Sequence, residues 1–471
     1  MPTLNGTVTT LKVLVAIVAL ASAPLALKRR WRLFLAIPVS VFQVYVPGLS
    51  IANVPIPVTF FGSLMLWPEF VREFKVLTSW KPTIALLSII AMYTASLLWS
   101  PIPKLGLAPI GYTLQFLTIF SASLAEVRRD KKLIVQLLLV TVLFTLVQAF
   151  AVIAFRIMPG VKIEYLNSSL ARWFISPKVV GHLFTTEANN VVDPTKSGGI
   201  LAVNANIGAV FLGMTAFVAA GLAMYLRKRW IVLVALIFFI SIAFAGSKAA
   251  LMIEVALTII ALHIISLRFR GWRVRIRVTM LAVVLMAVSM WLLPKALTSS
   301  QSYEFKQLTA FASRSDATLS TREKIWDYGA QAFAEHPILG QGFGGWQDDF
   351  PRYARKVGLP PDYPPHNTII YLWSQGTILA ALLGLWYIYC VLKLAYRLSL
   401  YGARSELGLN LAMAMAFLWL FIQGMGENIG LIGVGEPLLA GLLAIAYMNR
   451  RQNIGDANLL ESTDLAVPDV A

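Results

Sequence analysis

A succession of apolar runs, most of them close to the ~20 residues that cross the hydrocarbon of a bilayer, leaves this chain few ways to fold. They lie near 10–27, 33–47, 57–70, 83–101, 107–125, 133–156, 200–226, 230–246, 249–267, 278–297, 367–392, 407–425 and 433–449. A backbone in lipid has no water to pair with, and a helix satisfies its own N–H and C=O groups. With 58% hydrophobic and 13% charged residues, against about 25% charged in soluble domains, the expectation is an all-α polytopic membrane protein. It should have about 12–13 transmembrane helices; the uncertainty lies in the first three runs. The run at 57–70 is short, hence tilted or re-entrant, and Lys12 weakens the start of the first. Residues 10–27 with Ala21-Ser22-Ala23 could pass for a signal peptide, but Met1 to Thr10 lacks Lys and Arg, so they read as a retained helix.

Short cytoplasmic loops retain positive charge. Clusters at Lys28/Arg29/Arg30/Arg32, Arg72/Lys75/Lys81, Arg128/Arg129/Lys131/Lys132, Arg227/Lys228/Arg229, Arg268/Arg270/Arg273/Arg275/Arg277, Lys393/Arg397/Arg404 and Arg450/Arg451 hold 24 of the 40 basic residues. Neighbouring clusters are separated by two runs, which puts them all on one side, the cytoplasm. The net charge of +17 is then a matter of topology rather than of nucleic-acid binding. The expected organisation is a transmembrane region over 1–297 with a smaller outer loop at 157–199, an extracytoplasmic (periplasmic) helical loop at 298–366, C-terminal spans over 367–449 and a disordered cytoplasmic tail at 450–471.

Cys390 is the single cysteine and lies in an apolar run, so neither an internal disulfide nor a cysteine metal site is available. There is no GxGxxG and no Walker loop, which argues against ATP-driven transport. Ionisable groups near the outer membrane surface are costly to keep and invite a functional reading. Lys248 follows Ser247 in a turn between two runs. With Ser247 as N-cap, the free N–H groups of the next helix and the ammonium would aim at one spot suited to a diphosphate; a lysine snorkelling to the interface is the plainer reading. Arg322 falls in the first turn of a helix begun by a Ser320–Glu323 capping box. The helix dipole disfavours a cation there, which a negative partner would remedy; otherwise it is a solvated surface arginine. The helix should run to about Glu335, with Ile325, Trp326, Ala330 and Phe333 on its apolar face.

His366 or Asn367, after Pro364-Pro365, should cap the helix of the run at 367–392. The positive helix end favours a neutral imidazole, the form a general base needs; a purely capping histidine is the alternative. Between these features Gly340, Gly342, Gly344 and Gly345 permit close backbone approach. Either the loop folds over a site with Trp346 and Phe343 offering faces for sugar, or it is a turn between two lid helices.

Taken in order, GSKAAL, STREKIW, AEHPILGQGFGGW and PPHNTIIYLWSQG, roughly 130 residues from Gly246 to Gly376, resemble the signature region of the O-antigen ligase and O-antigen polymerase superfamily. The resemblance implies a transferase that takes a glycan from undecaprenyl diphosphate at the outer face of the bacterial inner membrane. The acceptor would be lipid A-core in a ligase, or a second lipid-linked glycan in a polymerase. His366 matches the family's essential histidine, Arg322 its loop arginine and Lys248 its outer basic residue, where the family commonly has arginine. These three are the expected catalytic residues; Asn367, Ser247, Arg172 and Trp346 are expected to bind substrate. Neither cofactor nor metal is implied: the outer loop near Pro47 to Pro57 has no Asp or Glu, and Asp348-Asp349 point apart on a helix. Lys162, Arg172, Lys178 and Lys196 in the smaller outer loop would suit either acceptor. A transporter or flippase for lipid-linked sugar is the competing class, with Asn204 and Asn206 its main in-membrane polar residues, unless these pair helices.

Overall fold

In the computed structural model, the structure describes residues 28–42, 44–51, 54–58, 66–130, 132–175, 196–202, 204–268, 320–401 and 404–427, with 60, 63 and 280 besides. The expected spans at 10–27, 278–297 and 433–449 and the tail at 450–471 lie outside them, as do most of 176–199 and all of 298–319.

The described chain is helical but for one hairpin. Helix α1 (Arg29–Phe42) leads into β1 (Tyr45–Ile51) and β2 (Val54–Pro57), antiparallel with Tyr45 opposite Pro57 and Ile51 opposite Val54. There follow α2 (Trp67–Thr78), α3 (Lys81–Ser96), α4 (Lys104–Arg129), α5 (Lys132–Ile157), the short α6 (Pro159–Asn167) and α7 (Ala171–Phe174), α8 (Ala205–Leu226), α9 (Arg229–Ala245) and α10 (Lys248–Arg268). Residues 320–335 form α11, and α12 (Gly345–Val357), α13 (Thr368–Gln375), α14 (Ile378–Tyr401) and α15 (Leu407–Gly424) complete the order. Among the described residues six helices, α4, α5, α8, α10, α14 and α15, are long and apolar enough to cross a membrane. The α2–α3 pair, bent by 116°, makes a seventh if counted as one span, and α9 is apolar but shorter. The all-α polytopic class holds for the described residues apart from the hairpin.

Two expected spans differ in form. The run at 33–47 is helix only to Phe42 and then strand. The run at 367–392 is broken: α13 ends at Gly376, and the crossing helix α14 starts at Ile378. A Cβ at Gly376 would lie 2.9 Å from both the Leu372 carbonyl oxygen and the Tyr93 ring, so glycine permits this close approach to α3.

The bundle has two chemically distinct ends. At one, Arg29 pairs with Glu69 of α2 and Glu126 of α4, Arg128 pairs with Glu73, and Arg30 lies 3.4 Å from Asp130. Three of the basic clusters thus meet in space, and Arg268 donates to the Leu400 carbonyl to join two more. At the opposite end lie α11 and α12, the lid: α12 packs on α13, Arg322 of α11 reaches Glu427 just beyond α15, and Phe343 in the loop between the two helices meets Tyr93 in the last turn of α3.

Lid packing follows from α11. Ile325, Tyr328, Gly329 and Ala332 are its buried face, at i, i+3, i+4 and i+7. Ala330 and Phe333, expected on that face, are exposed, because the buried stripe runs one position earlier. Trp346 and Phe343, expected to offer faces to sugar, are buried instead. Trp346 stacks on Phe350 and meets Tyr328 edge-on, and its Nε1 donates to the Tyr363 carbonyl at 2.9 Å. Phe343 meets Tyr93 edge-on at 5.0 Å between ring centroids. Burial pushes the Tyr328 hydroxyl up to about 12, while the hydrogen bond from Gln341 acts the other way.

Candidate functional site

The site begins with how α13 is started. Asn367 is its N-cap: Oδ1 accepts from the Ile369 and Ile370 amides at 2.9 and 3.1 Å, satisfying two otherwise orphaned donors. Its Nδ2 donates to the Met425 carbonyl at 3.3 Å, and Thr368 Oγ1 donates to the Gly424 carbonyl at 3.0 Å. Both bonds fix the start of α13 on the end of α15. Asn367, expected to bind substrate, therefore has both amide atoms committed to this joint.

His366 precedes the cap with φ of +48°. A side chain with a Cβ enters this left-handed region at a cost of about 1–2 kcal/mol, and such strain persists where the surroundings dictate the geometry. Here they hold the imidazole over the turn that follows α15. Its Nδ1 lies 3.3 Å from Oε2 of Glu427, off the line of a hydrogen bond, and Tyr363 packs edge-on against the ring.

Glu427 is the hub. Its side chain is 7% exposed. Oε1 accepts from Arg322 Nη2 at 2.9 Å and from Asn206 Nδ2 at 2.6 Å. Arg322 is thus given the negative partner that its place in the first turn of α11 invites. Asn206 sits at the start of α8, where Asn204 caps the helix through the Asn206 amide at 2.8 Å. Gln423 donates to the Asn206 carbonyl at 3.0 Å and accepts from Trp419 Nε1 at 2.8 Å. One buried carboxylate beyond the end of α15 therefore joins the lid to the start of α8 by charge-assisted bonds, which are stronger than neutral ones, and lies beside His366 at the start of α13.

The other expected site residues lie around this cluster or away from it. Ser247 is buried and its Oγ accepts from the Ala250 amide at 3.4 Å, capping α10. Lys248 is exposed in the first turn of the same helix. Helix α10 packs along α15, and its last residue, Arg268, bonds the Leu400 carbonyl shortly before α15 starts, so Ser247 and Lys248 stand toward the far end of α15, the lid's end of the bundle. Arg172 is exposed on α7, whose neighbours are α6 and β1, apart from the cluster. Trp346 is in the lid core. Among the described residues no three His, Cys, Asp or Glu side chains are grouped as a metal site; Asp349 pairs with Arg352 at 3.0 Å.

Sequence reasoning did not single out Glu427. The available signal was an acidic side chain a few residues beyond an apolar run, in Gly424-Met425-Gly426-Glu427. Asn206, read either as an in-membrane polar residue of a transporter or as a helix-pairing one, bonds Glu427 just beyond α15.

Residues 233–385 match the family model described as O-Antigen ligase, and no curated protein matches the chain. Over this stretch, less than half of its length, the chain is similar to that family. The match spans Ser247, Lys248, Arg322, Trp346, His366 and Asn367, and leaves Asn206 and Glu427 outside.

Proposed function

We propose that this O-antigen ligase-related membrane protein transfers a glycan from undecaprenyl diphosphate to lipid A-core at the periplasmic face of the bacterial inner membrane, with His366 as general base. The observation that carries the reading is the carboxylate held between His366 and Arg322. A carboxylate beside Nδ1 favours the tautomer with its proton on that nitrogen, leaving the Nε2 lone pair for the acceptor hydroxyl. As Nε2 takes the proton, the acceptor oxygen bonds to the anomeric carbon. The bond from that carbon to the diphosphate oxygen breaks, and its electron pair leaves with undecaprenyl diphosphate. His366 then returns its proton to water.

Arg322 spends one N–H on Glu427 and has further donors in its planar fork, so it can bridge Glu427 and the departing diphosphate. Lys248 adds a point charge rather than a fork. Together they would stabilise charge developing on the leaving oxygen. Asn367 holds His366 in position, and Arg172 with the smaller outer loop would meet the anionic acceptor. The polyprenyl chain would lie among membrane lipids between helices. The reaction as drawn needs no metal, nucleotide or cofactor.

Purified protein reconstituted in liposomes with an undecaprenyl-diphosphate oligosaccharide tests this. Glycan on lipid A-core, absent with His366→Ala, is the expected result. A glycan ladder formed without that acceptor would make the protein a polymerase using a second lipid-linked glycan. Movement of labelled lipid with no new glycosidic bond would make it a transporter.

A further inference from the structure

The turn that joins α11 to the glycine-rich loop presents its largest apolar side chains outward. Ile338 is 68% and Leu339 54% exposed, and Leu98, just beyond α3, is 89% exposed. These side chains belong to one region: Trp99 Nε1 donates to the Leu339 carbonyl at 3.2 Å, and the Ile378 amide donates to the Ile338 carbonyl at 2.9 Å. The patch therefore sits where α3 ends and α14 begins. It continues into the exposed Leu379, Leu382, Leu385 and Trp386 of α14, the face a crossing helix turns to lipid.

A second observation concerns the backbone. An irregular turn in hydrocarbon is costly unless its polar groups are paired. The His336 carbonyl accepts from the Gly340 amide at 3.1 Å and from Trp373 Nε1 at 3.3 Å, so the carbonyls of His336, Ile338 and Leu339 have donors, while the Pro337 carbonyl and the Ile338 and Leu339 amides are left to water or headgroups at the bilayer border. Pro337 has no N–H to satisfy. Apolar side chains pointing out over paired carbonyls fit lipid better than water.

We propose that residues 336–340 anchor the lid in the membrane, with Ile338 and Leu339 inserted into the leaflet on the lid's side. The occupant is bulk phospholipid acyl chain. The turn projects as a tip continuous with the lipid face of α14, which suits a bilayer border more than the enclosure of one chain. The lid is then fixed along this edge as well as through Glu427.

A single-cysteine protein tests the proposal. With Cys390 replaced by Ser, Leu339→Cys carries a bimane label in full-length protein reconstituted in phospholipid vesicles free of polyprenyl lipid. Doxyl-labelled phospholipid should quench it at least threefold more than at a Lys356→Cys control on the exposed side of α12, and aqueous iodide at least threefold less. Iodide quenching equal to that at position 356 overturns the anchor. Protection that appears only after undecaprenyl phosphate is added overturns the bulk-lipid occupant. Should Leu339→Cys fail to give a monodisperse protein, Ile338→Cys reads the same surface.

Discussion

Glu427 faces His366 across the joint between α15 and α13, with Oε2 3.3 Å from Nδ1, while its other oxygen holds Arg322. If that carboxylate orients and charge-balances the imidazole, Glu427→Gln should lower kcat by about a hundredfold or more, within the range ascribed to general acid–base catalysis. Apparent affinity for the donor should change little, and Glu427→Asp should recover part of the rate. A purely structural role would instead lower the amount of folded protein and leave the rate per folded molecule intact. Turnover normalised to monodisperse protein separates the two.

Arg322 bears on both the carboxylate and the proposed diphosphate. Replacing it by Ala should cut donor turnover strongly while expression is kept, and Arg322→Lys should restore only a minor part, because an ammonium cannot bridge two anions as the planar fork does. Losing its charge-assisted bond to Glu427 should cost about 2 kcal/mol of stability. Activity near wild type in Arg322→Ala would remove the residue from the mechanism.

The backbone of His366 gives a test that separates chemistry from strain. His366→Ala and His366→Gly both lack the proposed base, and both should be at least about a hundredfold slower. At φ of +48°, however, glycine is relieved of a cost of about 1–2 kcal/mol that alanine retains. Thermal unfolding in one detergent should rank the glycine variant above the alanine variant. The reverse order would mean that the left-handed backbone is not kept in solution.

Much of the fold was written in the sequence because lipid imposes simple rules. Apolar length gave α5, α10 and α15 to within about a residue at each end and α4 and α8 to within about five, and the basic clusters around Arg29, Arg72 and Arg128 fall at one end of the bundle. What was hidden depends on contacts distant in sequence. At the break, Gly376 comes too close to Tyr93 of α3 to carry a Cβ without a shift, and no hydropathy window sees Tyr93. The loop with Trp346 could be read as a sugar platform or as a turn between lid helices, and the sequence does not tell that Tyr328 and Phe350 enclose the ring. Within the candidate site, His366 and Arg322 were singled out from their places at helix starts, and both lie against one carboxylate. Glu427 was not, since the role of a carboxylate after α15 emerges only when two elements separated from it by 61 and 105 residues meet it.

Two glycines of the lid, both at positive φ, should respond unequally to alanine. Gly340 has φ of +66°, and a Cβ there would fall 2.2 Å from the Trp373 carbonyl oxygen and 2.9 Å from that of Gly376. Both are backbone atoms, which cannot move aside as a side-chain tip can. The loop would have to lift, breaking the bond from the Gln341 amide to the Ser374 carbonyl. Gly358, at φ of +71°, has nothing within 4 Å of such a Cβ, so alanine there should cost only about 1–2 kcal/mol of backbone strain. Gly340→Ala should therefore destabilise the protein by clearly more than Gly358→Ala and should reduce transfer as the lid loses its seat on α13. Limited proteolysis of both variants in liposomes, read beside glycan transfer, checks this: equal protection of the two lids would mean that the close packing of Gly340 does not hold the lid down.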